Sequence, residues 1–490
     1  MPELKPEEML ASAWCGVALM PLLAVGAQPG GIDCSRPAMP YQYVVYCHLE
    51  ALKAQPLEFT RLEQQVGPQL EYRRYRLISQ RWNPYPVISP EHWQHEVEFY
   101  LPRQALSGQA MVVINNGMLY EGGTQSPDYS PAVLKQIALK TRTLVAVVSD
   151  VPNQALLFSD DRQWRAEDVA VAHTWKHFLG SPEQNKVLVL HVPMAGVTGR
   201  VMDLVQQQLP AYHFQKFILA GASKRGWAAW LAALADARVS ALAPAVIEIA
   251  DGRRMLEQLQ RNYGGHWPVA LHPYHAAGVL RQLQTPAFTR LMEIMDPLQY
   301  RDTALASRLE IPKYLISASG DDFFAPDHTA RYLPALPGLN AIRVAPNSDH
   351  YGIRAFAASS LIPMVNRLQQ GRSLPTLISS VDEEGGWGML KLRISESPRT
   401  LRLWRAYNER DRDFRYACGV RYHATTLVVP PLLDSRIDLG AIGPGWQAAF
   451  IQATFDDGFV ATSAVHVLPD QHFPSQPPVS DGVACSTLEG

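Results

Sequence analysis

Cysteine is scarce in this chain, 5 in 490 residues, and none stands in a Cys-x-x-Cys or Cys/His cluster, so a thiolate zinc site is not expected. An excess of charge of one sign is missing too. The 44 Lys+Arg against 46 Asp+Glu leave a formal net charge of -2, without the basic footprint that nucleic acid requires. Only 18% of residues are charged and 47% are hydrophobic, which excludes global disorder. Heptad, collagen and solenoid repeats are absent. So are a P-loop, a Gly-x-Gly-x-x-Gly after a strand, an HExxH pair and an EF-hand loop; no cofactor and no metal is expected. What remains is a folded chain long enough for two or three units.

The most apolar run is Met9–Ala27, MLASAWCGVALMPLLAVGA, closed by the turn residues Gln28-Pro29-Gly30-Gly31. Val25-Gly26-Ala27 suits signal peptidase, so residues 1–27 read as a signal peptide and the chain as secreted or periplasmic. The segment MPELKPEE before it is acidic on balance, unlike most export signals, and the other reading is an uncleaved membrane anchor. Cleavage removes Cys15 and leaves Cys34, Cys47, Cys418 and Cys485. Three disulfide pairings are open, Cys34–Cys47 being the most local and Cys418–Cys485 a staple at the far end, as are four free thiols.

From about residue 70 to 370 short apolar runs alternate with helical stretches. Glu71–Gln80 and Trp93–Leu101 alternate apolar and polar residues like outer strands. Ala110–Asn115, Thr143–Val148, Phe217–Ala220, Ala243–Ile249, Tyr314–Ser317 and Ile342–Ala345 are continuous apolar runs, as strands of a buried parallel sheet are. Ala166–Leu179 carries Val169, Ala172 and Trp175 at helical spacing. The pattern predicts an α/β class, a doubly wound, mostly parallel sheet over residues 28–370. Residues 251–301 lose the strand signal and read as a helical lid over the sheet's carboxyl edge, with a solvated loop as the alternative. Short strand-like runs after Gln370, Leu390–Ile394, Thr400–Tyr407, Arg421–Val428, Ala448–Phe455 and Ala464–Leu468, predict a β-sandwich of the immunoglobulin or fibronectin kind at 371–475. The Pro/Ser/Gly-rich tail from 476 to 490 reads as loose unless Cys485 ties it down.

One local pattern carries chemistry. Phe217-Ile-Leu-Ala runs into Gly221-Ala-Ser223-Lys-Arg-Gly226 and then into the Ala-rich Trp227–Leu231. A serine nucleophile on a strand-to-helix elbow needs this layout: glycines for the sharp turn and close packing, and helix N–H groups aimed at developing charge. In Gly-x-Ser-x-x-Gly the second glycine stands one place later than in the usual elbow, with Arg225 in its slot. The acid belongs after the next buried strands, where Gly320-Asp321-Asp322 follows Lys313–Ser319. Asp322, four residues before Pro326, is preferred, with Asp321 the alternative; either aspartate could instead cap the next helix. The loop after Ile342–Ala345 carries a single histidine, His350, as general base. The backbone N–H of Lys224 and the Asn116-Gly117-Met118 loop are the candidate oxyanion donors.

The chain resembles the PhoPQ-activated pathogenicity-related protein family. The matching stretches include Val151-Pro-Asn-Gln-Ala-Leu-Leu-Phe158, Glu167-Asp168 with Ala172-His-Thr-Trp175, Val192-Pro-Met194 and Gly221–Trp227. They continue through Asp296-Pro297, Ser319–Phe324, Pro346-Asn347 with His350, Leu403–Ala406, Asp413-Phe414-Arg415 and Gly445-Trp446. The resemblance implies an α/β-hydrolase core with Ser223 and His350 as nucleophile and base. At the acid the family often has Asp-Glu where this chain has Asp321-Asp322, and Asn115-Asn116-Gly117-Met118 replaces a Gly-Gly loop. The family name associates it with virulence regulation in bacteria. Gly-x-Ser-Lys-Arg-Gly is also similar to the Gly-x-Ser-Arg-x-Gly of some sugar-acid esterases. Lys224 and Arg225 are thus candidates to pair with a substrate carboxylate or to help hold the oxyanion; the alternative is a solvated helix cation. Two functions are expected to compete: an exported serine hydrolase of a small-molecule or peptide ester or amide, and a non-catalytic binding or signalling protein presenting Tyr263, Trp267 and Tyr274.

Overall fold

The computed structural model describes residues 32–36, 39–84, 87–118, 126–429, 433–480 and 482–490. The signal-like segment 1–27 and Cys15 lie outside them. Continuous apolar runs have no polar face to offer water, and they become the middle of a nine-stranded sheet. Its strands are β1 (Glu58–Val66), β2 (Leu70–Arg81), β3 (His92–Pro102), β4 (Gln109–Ile114), β5 (Val145–Val148), β6 (Lys216–Ala222), β7 (Val239–Ala245), β8 (Lys313–Ala318) and β9 (Asn340–Ala345). The order is β1-β2-β3-β5-β4-β6-β7-β8-β9. The first three strands and β5 are joined antiparallel, and every pair from β5 to β9 is parallel. This is the α/β class that the sequence pattern predicts, with a separate antiparallel β region at the C-terminus.

Helices cover both faces: α1 (Val44–Lys53), α2 (Pro131–Thr141), α3 (Glu167–Gly180), α4 (His191–Gln208) and α5 (Lys224–Ala235), later the helix Ala357–Gln369. The run Ala243–Ile249 ends as a strand at Ala245. Val246 turns at φ 45°, and Ile247 and Ile249 leave the sheet to wall a cavity beneath the insertion. That insertion holds α6 (Gly252–Asn262), the short α7 (His272–Ala276) and α8 (Pro286–Met295).

Beyond residue 376, Leu377–Glu384, Trp387–Ile394 and Asp434–Ala441 form one antiparallel sheet. Thr400–Asn408, His423–Leu427, Trp446–Thr454, Val460–Thr462 and His466–Leu468 form the other. Leu390, Leu392 and Leu439 of the first share one core with Leu403, Ile451 and Leu468 of the second. This region touches the sheet domain at working positions. Arg412, buried, donates to Asp327 at 3.0 and 3.1 Å, and the Tyr416 N–H donates to the Gly320 carbonyl at 3.0 Å.

Cys34–Cys47 and Cys418–Cys485 are disulfides. The tail is not loose. Arg415 donates to the carbonyls of Cys485 and Ser486, and Thr487–Leu488 pairs antiparallel with Trp267–Pro268 of the insertion. His275 meets the Glu489 carbonyl at 2.8 Å. The end of the chain is a strap across the insertion. The described residues contain no helix long and apolar enough to cross a membrane.

Candidate active site

β6 delivers its chain into α5 through Ser223, which sits at φ 55° and ψ -133°, a conformation that an L-residue adopts only when its surroundings hold it there. The surroundings do. The Ser223 N–H donates to the Ala245 carbonyl of β7 at 2.8 Å, and the Ser223 carbonyl accepts from Trp227 N at 3.0 Å to open the helix. A Cβ on Gly221 would lie 2.6 Å from the Arg225 carbonyl oxygen, and one on Gly226 2.8 Å from that of Gly221, so strand and helix meet this closely only as glycines.

The turn after β8 and the loop after β9 bring an acid and a base together at the same edge. His350 Nδ1 lies 3.0 and 3.1 Å from the two carboxylate oxygens of Asp321. Both side chains are buried. Burial opposes a charged imidazole, but the Asp321 charge and hydrogen bond outweigh it, and the His350 pKa is raised. The ring also packs on Phe323, with centroids 4.6 Å apart. With Nδ1 occupied, Nε2 is free to act. Ser223 and His350 line one cavity; among the described residues they are not hydrogen-bonded to each other, and such pairs often tighten only around substrate.

The preference for Asp322 is therefore corrected: Asp321 faces the imidazole. Spacing from Pro326 does not decide this, because neighbours in a tight turn point to different sides. Asp321 Oδ1 accepts from Phe323 N at 2.8 Å, which fixes the turn with Asp321 toward His350. Asp322 has a buried Oδ1 without a hydrogen bond. Burial first, then the neighbouring charges of Asp321 and Asp349, push its pKa up to about 6.

Lys224 and Arg225 are not solvated helix cations either; both are buried. Lys224 Nζ lies 2.7 Å from Glu167 and 3.2 Å from Asp168. Arg225 lies 2.5 Å from Glu167 and 3.7 Å from Asp128, and it donates to the Val151 carbonyl at 2.6 Å. Burial opposes the charge of Glu167, yet the two cations hold its carboxyl far below the usual range. Both cations are therefore matched by the protein's own carboxylates.

In the loop after β4, Asn116 borders the Ser223 cavity, whereas Gly117 and Met118 do not. Asn115 and Asn116 clasp Ser126, Asp128 and Tyr129 through their side chains, and the chain at Gly117 turns to Gln154, whose amide donates to its carbonyl at 2.9 Å. The loop thus presents Asn116 where Gly117 and Met118 are expected. The carboxylates Asp128, Glu167 and Asp168, with Arg354 and Tyr351, are cavity residues that sequence reasoning gave no role. Glu167-Asp168 lies in a motif of the family resemblance, but ion pairs to residues some 57 positions away follow no local period.

A second, apolar cavity adjoins the first and shares Ser223, Lys224, Asp168 and Phe323 with it. Trp175, Trp227, Ile249, Leu256, Tyr274 and Met292 are among its walls. Trp227 and Trp175 meet edge to face with centroids 5.4 Å apart, and the Tyr274 hydroxyl donates to Asp168 at 3.0 Å.

A family model described as PhoPQ-activated pathogenicity-related protein matches residues 45–415. The autocrine proliferation repressor protein A of Dictyostelium discoideum is 28% identical over 432 residues, which cover 80% of this chain and 84% of that protein. Among solved structures, an acetyl xylan esterase from Paenibacillus sp. R4 aligns at TM-score 0.42 and 15% identity, covering 62% of this chain and 87% of its own. A glucuronoyl esterase from Solibacter usitatus aligns at TM-score 0.36 and 15% identity, covering 64% and 90%.

Proposed function

This chain belongs to the PhoPQ-activated pathogenicity-related protein family, and we propose that it is an exported serine hydrolase acting on a small-molecule or peptide ester or amide. The observation that carries the reading is Ser223 at positive φ between β6 and α5, sharing a cavity with a His350 whose Nδ1 is occupied by Asp321. His350 Nε2 takes the Ser223 proton as Oγ attacks the carbonyl carbon, then gives it to the leaving group, and an acyl-enzyme remains. Water, deprotonated in the same way, releases the acid. Asp321 holds the ring tautomer and steadies the imidazolium. The Lys224 N–H is the first oxyanion donor, with Asn116, which borders the same cavity, in place of the Gly117 or Met118 amide. The apolar cavity suits a hydrophobic group on one side of the scissile bond, and the cavity of paired charges suits a polar group on the other. Two disulfides suit an oxidising compartment outside the cytoplasm, in keeping with export.

A second reading, a signalling protein that acts by binding, is favoured by the name of the Dictyostelium relative, a repressor of proliferation. A fluorophosphonate probe separates the two. Covalent labelling of the wild type, lost in Ser223→Ala together with a fall of about 10³-fold or more in p-nitrophenyl ester turnover, is the expected outcome. A folded wild-type protein that neither labels nor turns over esters or aminoacyl amides leaves the binding reading in its place.

A further inference from the structure

Helix α3 begins at the site, where Glu167 and Asp168 hold Lys224, and then runs away from it. Further along, His173 and His177 stand four residues apart and so project from one face. Opposite them, the hairpin of Leu156–Phe158 and Gln163–Arg165 turns and presents Asp160. Asp160 Oδ2 lies 3.0 Å from His173 Nε2 and 2.8 Å from His177 Nε2, and the two ring nitrogens are 3.2 Å apart. His173 is buried and braced edge-on by Phe158, with centroids 4.6 Å apart. The side chains of Asp160 and His177 keep 25% and 27% exposure, so the point of convergence opens to solvent on one side.

Protons satisfy this triangle only by setting like groups close together, even with the second Asp160 oxygen 3.3 Å from His173 Nε2. A neutral imidazole carries one ring proton. If both Nε2 atoms donate to Asp160, two N–H groups confront each other across 3.2 Å; if only one does, a lone pair of the other faces the carboxylate. A cation at the centre accepts all three lone pairs. Ligand atoms 2.0–2.1 Å from a tetrahedral Zn²⁺ stand about 3.3 Å apart, a small expansion from the separations present. Two imidazoles and a carboxylate are also a donor set that zinc and its neighbours accept.

The geometry points to a divalent transition-metal site of the zinc type at Asp160, His173 and His177, with a fourth position open to solvent, which staples the 156–165 hairpin to α3. The absence of cysteine clusters and HExxH hides it in the sequence; its one local trace is His-x-x-x-His within a helix, and the carboxylate stands thirteen residues before His173.

The test uses untagged full-length protein stripped with a chelator, then titrated with ZnCl₂ by calorimetry and with CoCl₂ by visible absorption. Saturation at one metal per chain, a tetrahedral-type Co²⁺ band and a rise in Tm on adding Zn²⁺ are expected. His177→Ala and Asp160→Asn should each weaken binding by about tenfold or more and remove the Tm gain, while His275→Ala leaves both unchanged. Far-ultraviolet circular dichroism identifies a variant that fails to fold, and His177→Gln then replaces it. Absence of saturable binding tighter than roughly 100 µM, or binding indifferent to the Asp160 and His177 substitutions, overturns the assignment.

Discussion

Asp321 and Asp322 are adjacent in sequence but opposite in circumstance. Asp321 accepts from the backbone and meets His350, while Asp322 is half-buried with one oxygen unpartnered. Asp321→Asn should therefore lower kcat by about 10³–10⁴-fold, by removing the group that fixes the tautomer, and Asp322→Asn by less than about tenfold. Turnover needs neutral His350, whose pKa stands above the ordinary 6.5, so kcat/KM should rise with pH to a plateau on the alkaline side of that value. In Asp321→Asn the inflection should move to lower pH, as the pH–rate profiles of both proteins would show. Ser223 and His350 were legible because each follows a buried strand at the edge where this fold gathers side chains. The choice between two neighbouring aspartates was not, because it depends on which side of one turn each points to. Glu167 stayed without a role because its partners lie on another helix.

Among the elements, strands rich in apolar residues were readable from their periods; α3 was found as a helix, but Val169 of its expected apolar face is exposed and Ala170–Trp175 is buried throughout. β1, with only Phe59 and Glu63 half-covered, carries no alternation, and Asp434–Ala441 alternates in the structure but offers only Ile437 and Leu439 as large apolar residues to show it in sequence. α4 escaped for the converse reason: it is buried on nearly every side, so it has no polar stripe, and Gly196 and Gly199 weaken its helical signature. The strap was hidden because two-residue pairings have no period at all. It makes a prediction at this scale. The Cys418–Cys485 bond closes a span of 67 residues, and its replacement by Cys418→Ser/Cys485→Ser should cost about 2–4 kcal/mol in chemical unfolding. With the strap freed from Trp267–Pro268, the insertion walling the apolar cavity loosens, so KM for esters of apolar acids should rise more than kcat falls.

At the scale of the whole molecule, stability is tied to pH through Glu248, buried three residues past the end of β7 and accepting from Thr329 and Tyr332 at 2.8 Å each. Burial pushes its pKa up to about 7, the two hydroxyls work against that, and the Asp321 charge adds to it. An unfolded glutamate titrates near 4.5. Between these values the folded chain keeps a proton that the unfolded chain has lost, so this group's contribution to stability falls as pH rises through that window. Glu248→Gln should flatten the fall and leave the variant more stable than wild type at about pH 8, by about 1–3 kcal/mol in urea unfolding.

The C-terminal β region does more than follow the sheet domain. Its Tyr416 N–H holds the Gly320 carbonyl, one residue from the aspartate that meets His350, and Cys418 just beyond is anchored by Cys485. The nine-stranded sheet is complete with residue 345, yet the turn bearing that aspartate is braced by Tyr416 from the C-terminal β region, in a segment that residue 485 ties down. On the proposed reading, the bond that ties this segment down would close only in an oxidising compartment, and the turn carrying that carboxylate would be braced from its far side once it had.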